Sequence, residues 1–330
     1  MRSTAAGIAQ RRWSRARRWA RWLPVLALAA CTAPAEARIS VLTVMVEQHP
    51  AHEEVMSALR ARLGEALDRR ISLRTISGNE FSQGNGRRLT KLPDDLILTL
   101  GTEPATTVLR ANPAEPVLCG LLPRAAYRAA LPPNGPAGRR SAIFLDQPYT
   151  RQIQLVRMVL PGITRLGVVL GPEGRRDESS IRSAAGNLDL RLERILDERQ
   201  IVSALHRVMD VSDALLVVPD SQVFNQHTAQ SVLLTAYRRG RPVFAYSRAY
   251  VTAGALAAVY TTPAQVGQQL ADALLAYEAS PDRRLPAAAY PRLFEVEVNE
   301  RVAHSLGIEI RNEAELARKL AEKSGNGESP

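Results

Sequence analysis

Cysteine, histidine and aromatic residues are all scarce in this chain of 330 residues. Its two cysteines, Cys31 and Cys119, cannot supply the paired framework of a disulfide-built protein. Five histidines are present, and only His49 and His52 lie close together. A lone pair lacks the third ligand and the supporting shell that a metal needs, so no metal and no cofactor is expected. The N-terminal apolar run, Trp22 to Ala30, is too short to span a bilayer, which takes about 20 residues. Catalytic signatures are missing as well: there is no G-x-S-x-G elbow, no H-E-x-x-H and no G-x-x-x-x-G-K-[ST] loop. Nothing argues for an enzyme.

Acidic residues are absent before Glu36, and this explains most of the formal net charge of +10. Seven arginines from Arg2 to Arg21 carry the excess, leaving the rest of the chain close to neutral. The charge belongs to a leader, and no nucleic-acid partner is expected. A basic flank, a short apolar run and small residues after it match a secretory signal peptide over residues 1–30. Two exits compete. "LAAC", ending at Cys31, resembles the bacterial lipobox, in which the cysteine is lipidated and becomes the mature N-terminus. "AEA", residues 35–37, resembles an ordinary small-x-small cleavage site. The lipobox is the preferred reading, with residues 31–37 as a linker. Thr32 stands where an aspartate would signal inner-membrane retention in many Gram-negative bacteria, so outer-membrane attachment fits. Cys119, in the apolar "EPVLCGLL", reads as a buried, unreactive thiol.

Beyond the linker, β-type and helical segments alternate. "RISVLTVMV" is a continuous apolar strand, and "AHEEVMSALRARLGEAL" follows with Val55, Leu59 and Leu63 at helical spacing. "RISLRTI", "DDLILTLG", "EPVLCGLL" and "RSAIFL" continue the pattern. The rhythm restarts with "TRLGVVLG", "LRLERIL", "DALLVVPD" and "RPVFAYS", each followed by a helical or polar segment. Two runs of β-α alternation predict an α/β protein of two Rossmann-like lobes, each an open parallel sheet with helices on both faces. The expected division is 38–145 for lobe 1 and 146–258 for lobe 2. Residues 259–310 form a return segment, and 311–330 hold a last helix and a polar tail too poor in apolar residues to fold.

Ligands of such sheets bind beyond the carboxyl ends of the strands. The segments there are "EQHP", "GTEP", "GPEG", "PDSQ" and "AYSRAY". "PDSQ" also suits a turn and helix cap, with Asp220 or Ser221 satisfying backbone N–H groups. "QGNGRRL" reads as a loop.

"DALLVVPDSQVF", "RPVFAYSRAYVTAGALAAVYTTPAQVGQQLADALL" and "LFEVEVNERVAHSLGIEI" resemble the substrate-binding lipoproteins of bacterial ABC transporters with the type I periplasmic-binding-protein fold, in the branch linked to aromatic amino acids. "VEQHPAHEEVMSALRARL" and "DDLILTLGTEPATT" match more loosely. The resemblance implies two lobes joined by hinge strands, with crossings near Arg140–Pro148 and Ala255–Tyr260. It implies a cleft lined by Gln48, His49, Thr102, Glu103, Asp220, Ser221, Tyr246 and Ser247. The implied partners are a small-molecule ligand, amino acids being one class, a membrane ABC permease and the lipid on Cys31. A sensory lipoprotein of the same fold, signalling to a membrane kinase or an outer-membrane receptor, is the alternative. Two first-lobe loops depart from the family pattern. "CGLLPRAAYRAAL" lacks the usual Asp-Pro pair, and "GRRSAIFLDQP" replaces an Asn-x-Thr-Gly stretch.

Overall fold

The computed structural model describes residues 39–46, 49–67, 69–83, 94–133, 138–220, 223–224, 226–310 and 312–324. The leader, Cys31, Gln48, Ser221, most of the "QGNGRRL" stretch and the polar tail lie outside the described residues.

Five strands, β1 (Ile39–Met45), β2 (Ile71–Ser77), β3 (Leu96–Leu100), β4 (Val117–Leu122) and β5 (Arg140–Phe144), pair in parallel in the order β2-β1-β3-β4-β5. Apolar residues occur on both faces of these strands because helices cover both sides. In β1, Ile39 and Val41 join one core layer with Leu59, Leu270 and Leu274, while Leu42 and Val44 join the opposite layer with Val108, Leu109 and Phe144. The first layer is roofed by α1 (Pro50–Leu63) and the second by α3 (Thr102–Ala111) and α4 (Arg124–Ala130); the short α2 (Gly78–Gln83) follows β2. Cys119 lies in β4 with no solvent exposure, and burial pushes its thiol up to about 12, so it is inert.

The second lobe begins with α5 (Tyr149–Val159) and β6 (Arg165–Leu170), followed by α6 (Glu178–Ala185), β7 (Asp189–Arg194), α7 (Ile201–Asp210), β8 (Ala214–Leu216) and α8 (Gln226–Arg238). It continues through β9 (Val243–Ala245), α9 (Arg248–Ala253) and β10 (Ala257–Tyr260). Its six-stranded sheet has the order β11-β10-β9-β8-β6-β7, with β11 at Glu295–Val298. Here the sheet departs from the all-parallel expectation: β11 runs antiparallel to β10, with Glu295 opposite Tyr260. The reason is the path of the chain. It leaves the lobe at the end of β10 and re-enters beside the same point, so the new edge strand must run the other way.

Between those two points the chain visits the first lobe. A reciprocal cap starts α10 (Pro263–Ala279): Gln265 N–H donates to Thr262 Oγ1 and Thr262 N–H donates to Gln265 Oε1. This helix packs against α1 so closely that a Cβ on Gly267 would collide with the Val55 carbonyl oxygen. Ala289 then pairs beside β5, its N–H donating to Ala142 O at 2.9 Å. After β11 come α11 (Glu300–Ser305) and α12 (Glu313–Ser324), whose Leu316 and Leu320 are buried in the second-lobe core.

Three segments therefore cross between the lobes, at residues 145–148, 261–262 and 290–294, and a polar cluster ties them together. Gln147 Nε2 donates to Thr261 Oγ1 at 2.8 Å, and Thr261 Oγ1 donates to Leu293 O at 2.8 Å. The Arg151 guanidinium donates to Gln147 Oε1 and Pro291 O and lies over the Phe294 ring at 4.2 Å. Arg151 is only 3% exposed, so these contacts replace its hydration.

Candidate functional site

A cavity of about 410 Å³ lies beside the crossings, where the carboxyl ends of strands from both lobes meet. The first lobe contributes Pro123 and Arg124 after β4 and Tyr290 from the third crossing. Asp146 and Gln147 come from the first crossing, and Tyr149 and Gln152 from the first turns of α5. The loops after β6, β8 and β9 supply Glu173 and Asp177, Asp220 and Phe224, and Tyr246.

Arg124 organises the first-lobe side. Its guanidinium donates to Asp177 Oδ1 at 2.6 Å, an ion pair that bridges the two lobes. The same side chain sits 5.5 Å from the centroid of the Tyr290 ring, and its backbone N–H donates to the Asp146 carboxylate. Tyr149 Oη donates to the other oxygen of Asp177 at 3.0 Å. Burial, with the neighbouring Asp177 charge adding to it, pushes the Asp146 carboxyl up to about 6 against the pull of the Arg124 N–H.

On the second-lobe side, Asp220 is 2% exposed and its Oδ2 accepts the Gly174 N–H at 2.8 Å. Gly171 is required at this point, because a Cβ there would overlap Val223 and the Asp220 carboxylate. Asp220 thus does two jobs: it fastens the loop after β6 and forms part of the wall. Tyr246 Oη donates to Phe224 O at 3.3 Å. Its phenol is pushed up to about 12 by burial and by the charges of Asp220 and Asp146. Gln152 is 2% exposed; its Nε2 donates to Gln147 O at 2.9 Å. Its Oε1 is buried with no hydrogen-bond partner.

Of the cleft residues expected from sequence, Asp220 and Tyr246 are brought together on this wall. Ser247 stands next in the chain, at the N-cap position of α9 with no side-chain capping hydrogen bond, and is half-buried. His49, Thr102 and Glu103 are exposed at the carboxyl ends of β1 and β3, outside the cavity. His49 instead lies against His52, whose imidazole is held below its usual value by burial. Gln48 and Ser221 fall outside the described residues. Arg124, Asp146, Tyr149, Gln152, Asp177 and Tyr290 were not among the expected residues. The signal for two of them was present: Arg124 and Asp146 stand in the two loops that depart from the family pattern. Among the described residues, no group of three or more His, Cys, Asp or Glu is arranged to hold a metal ion.

Two α/β lobes, three crossings and a cavity between facing strand ends define the class of two-lobed periplasmic binding proteins with the type I fold. The family model described as ABC transporter substrate binding protein matches residues 84–317, and the chain belongs to that family. Among solved structures, it is similar to a ligand-free, open substrate-binding protein from Clostridium difficile, at 17% identity and a TM-score of 0.67, covering 83% of this chain and 96% of that one. A conserved domain protein from Vibrio cholerae aligns at 20% identity and a TM-score of 0.57, covering 85% of this chain and 98% of the other. An ABC domain in complex with L-Trp from Streptococcus pneumonia aligns at 15% identity and a TM-score of 0.56, covering 82% and 96%. No curated protein matches. The Clostridium neighbour is described as a substrate binding protein, and the Streptococcus neighbour is in complex with L-Trp.

Proposed function

We propose that this chain is the lipid-anchored capture component of an ABC importer, held on the periplasmic side of a bacterial membrane through Cys31. It takes up a small solute carrying an amino group, amino acids being one candidate class, and presents it to a membrane permease. The observation that carries this reading is the cavity itself, with aromatic rings from both lobes and carboxylates from the first crossing and the second lobe converging beside the three crossing segments. The L-Trp held by the Streptococcus neighbour is in keeping with a ligand of that size. Among the described residues no helix is long and apolar enough to cross a membrane, so attachment rests on the lipobox.

Thermal unfolding of the full chain against a panel of amino acids, amines, nucleosides, sugars and organic acids tests the capture role. A true ligand at 100 Kd adds about 2.7 kcal/mol to folded-state stability, a shift of several degrees. Flat melting curves across the whole panel would contradict the reading. Mass measurement of protein purified from its host tests the anchor: an acylated N-terminal Cys31 is expected, and an unmodified Cys31 inside an intact leader would overturn it.

A further inference from the structure

Among the described residues, the guanidinium and the helix- and loop-end N–H donors at the cavity are already engaged by the protein's own carboxylates. The Arg124 guanidinium is paired with Asp177, the first N–H of α4 with Asp146, and the Gly174 N–H with Asp220. These are the groups that would otherwise receive a ligand carboxylate, through a guanidinium fork or a helix N-terminus. What the wall still offers is acceptor capacity and π-faces. Among the described residues, four carboxylates, Asp146, Glu173, Asp177 and Asp220, line the cavity against one guanidinium, Arg124.

An independent observation comes from Gln152. Because its Nε2 is committed to Gln147 O, the amide cannot flip, and Oε1 is left buried and without a donor on a cavity-lining residue. Leaving such an acceptor unpaired is unfavourable, and a ligand N–H would satisfy it. The rings of Tyr149, Tyr246, Tyr290 and Phe224 also line the cavity, and aromatic faces attract cations.

We propose that the cavity selects an organic cation: a primary ammonium on an alkyl or aryl body, without a carboxylate of its own. The ammonium is received by Asp146, Asp177 and Gln152 Oε1, and the body lies against the tyrosines. This rests on the capture role proposed above and narrows its ligand class. An amino acid is disfavoured because its carboxylate would meet acidic walls and could find a counter-ion only by breaking the Arg124–Asp177 tie.

Matched ligands test the proposal by calorimetric titration of the full chain. One series is tyramine, tyrosine and 3-(4-hydroxyphenyl)propionate; the other is cadaverine, lysine and 6-aminohexanoate. In at least one series the amine, tyramine or cadaverine, is expected to bind about tenfold or more tighter than the amino acid, tyrosine or lysine, with no binding of 3-(4-hydroxyphenyl)propionate or 6-aminohexanoate. Asp146→Asn, which keeps an acceptor for the Arg124 N–H, is expected to weaken amine binding about tenfold by removing one counter-charge. Equal or tighter binding of the amino acid, or binding of a sugar or an organic acid alone, overturns the cation proposal and leaves the capture role standing. If nothing in either series or the wider panel binds, both fall. An amine that binds wild type and Asp146→Asn equally removes the ammonium site assigned here.

Discussion

Because Asp146 holds its carboxylate away from water and beside Asp177, the folded protein binds that proton more tightly than the unfolded chain does. Its carboxyl is raised from 3.8 to about 6, so its favourable contribution to folding is complete below pH 4 and is lost as the pH rises through 6. The loss amounts to at most about 3 kcal/mol, and Asp146→Asn removes it. Paired urea titrations should show wild type losing stability relative to the variant between pH 4 and 6, then a constant difference above. A difference that is flat from pH 4 upward would contradict the buried carboxylate. The other groups facing Asp146 are Arg124, Asp177, Tyr149, Tyr246 and Tyr290. The three phenols are raised well clear of this window. A bound ammonium favours the ionised carboxylate, so amine affinity should fall as the pH is lowered through 6.

The residue scale also separates what sequence could show of the site from what it could not. Asp220 and Tyr246 each end or follow a strongly apolar strand, so the rule about carboxyl ends of strands points to them directly. Arg124 and Asp177 become neighbours only when two lobes meet, and 53 positions separate them in the chain. Gln152 looks like any polar residue on an amphipathic helix. Its role comes from burial against the first crossing, which no local pattern encodes.

At the scale of elements, apolar runs and helical spacing were enough to place the central strands, because these lie buried between helices. The fate of the late segments was not readable in the same way. Nothing in "PAQVGQQLADALLAYEAS" states that α10 returns to the first lobe; that follows from Gly267, which lets the helix sit against the backbone of α1. The antiparallel β11 has the same origin in the path of the chain. The crossing segments behave as one element because Arg151 joins the first to the third, through Gln147, Pro291 and the Phe294 ring, while Thr261 ties the second to both. Arg151→Met would leave Gln147 Oε1 and Pro291 O buried without that donor. It should cost about 2–4 kcal/mol in chemical unfolding, the range for a charged group's buried hydrogen bonds. A loss under about 0.5 kcal/mol, the scale of an ordinary surface change, would show that the cluster does not hold the hinge.

On the scale of the whole molecule, two independently cored lobes meet through three crossing segments, an aromatic and acidic cavity, and the Arg124–Asp177 ion pair across the cleft. Such an arrangement closes on a ligand by population shift, in proportion to how much better the closed form holds that ligand. The central claim is that a small solute is captured in the cavity between the lobes. Calorimetric titration of the best ligand into wild type and into Ala125→Trp tests it most directly. Ala125 is exposed on α4 at the cavity edge, so an indole there occupies the space of the ligand without disturbing the core. The expected result is one-to-one binding by wild type and at least about a tenfold loss of affinity in the variant, with the unliganded melting temperature little changed. Undiminished binding by the filled variant would place the ligand elsewhere and contradict the account.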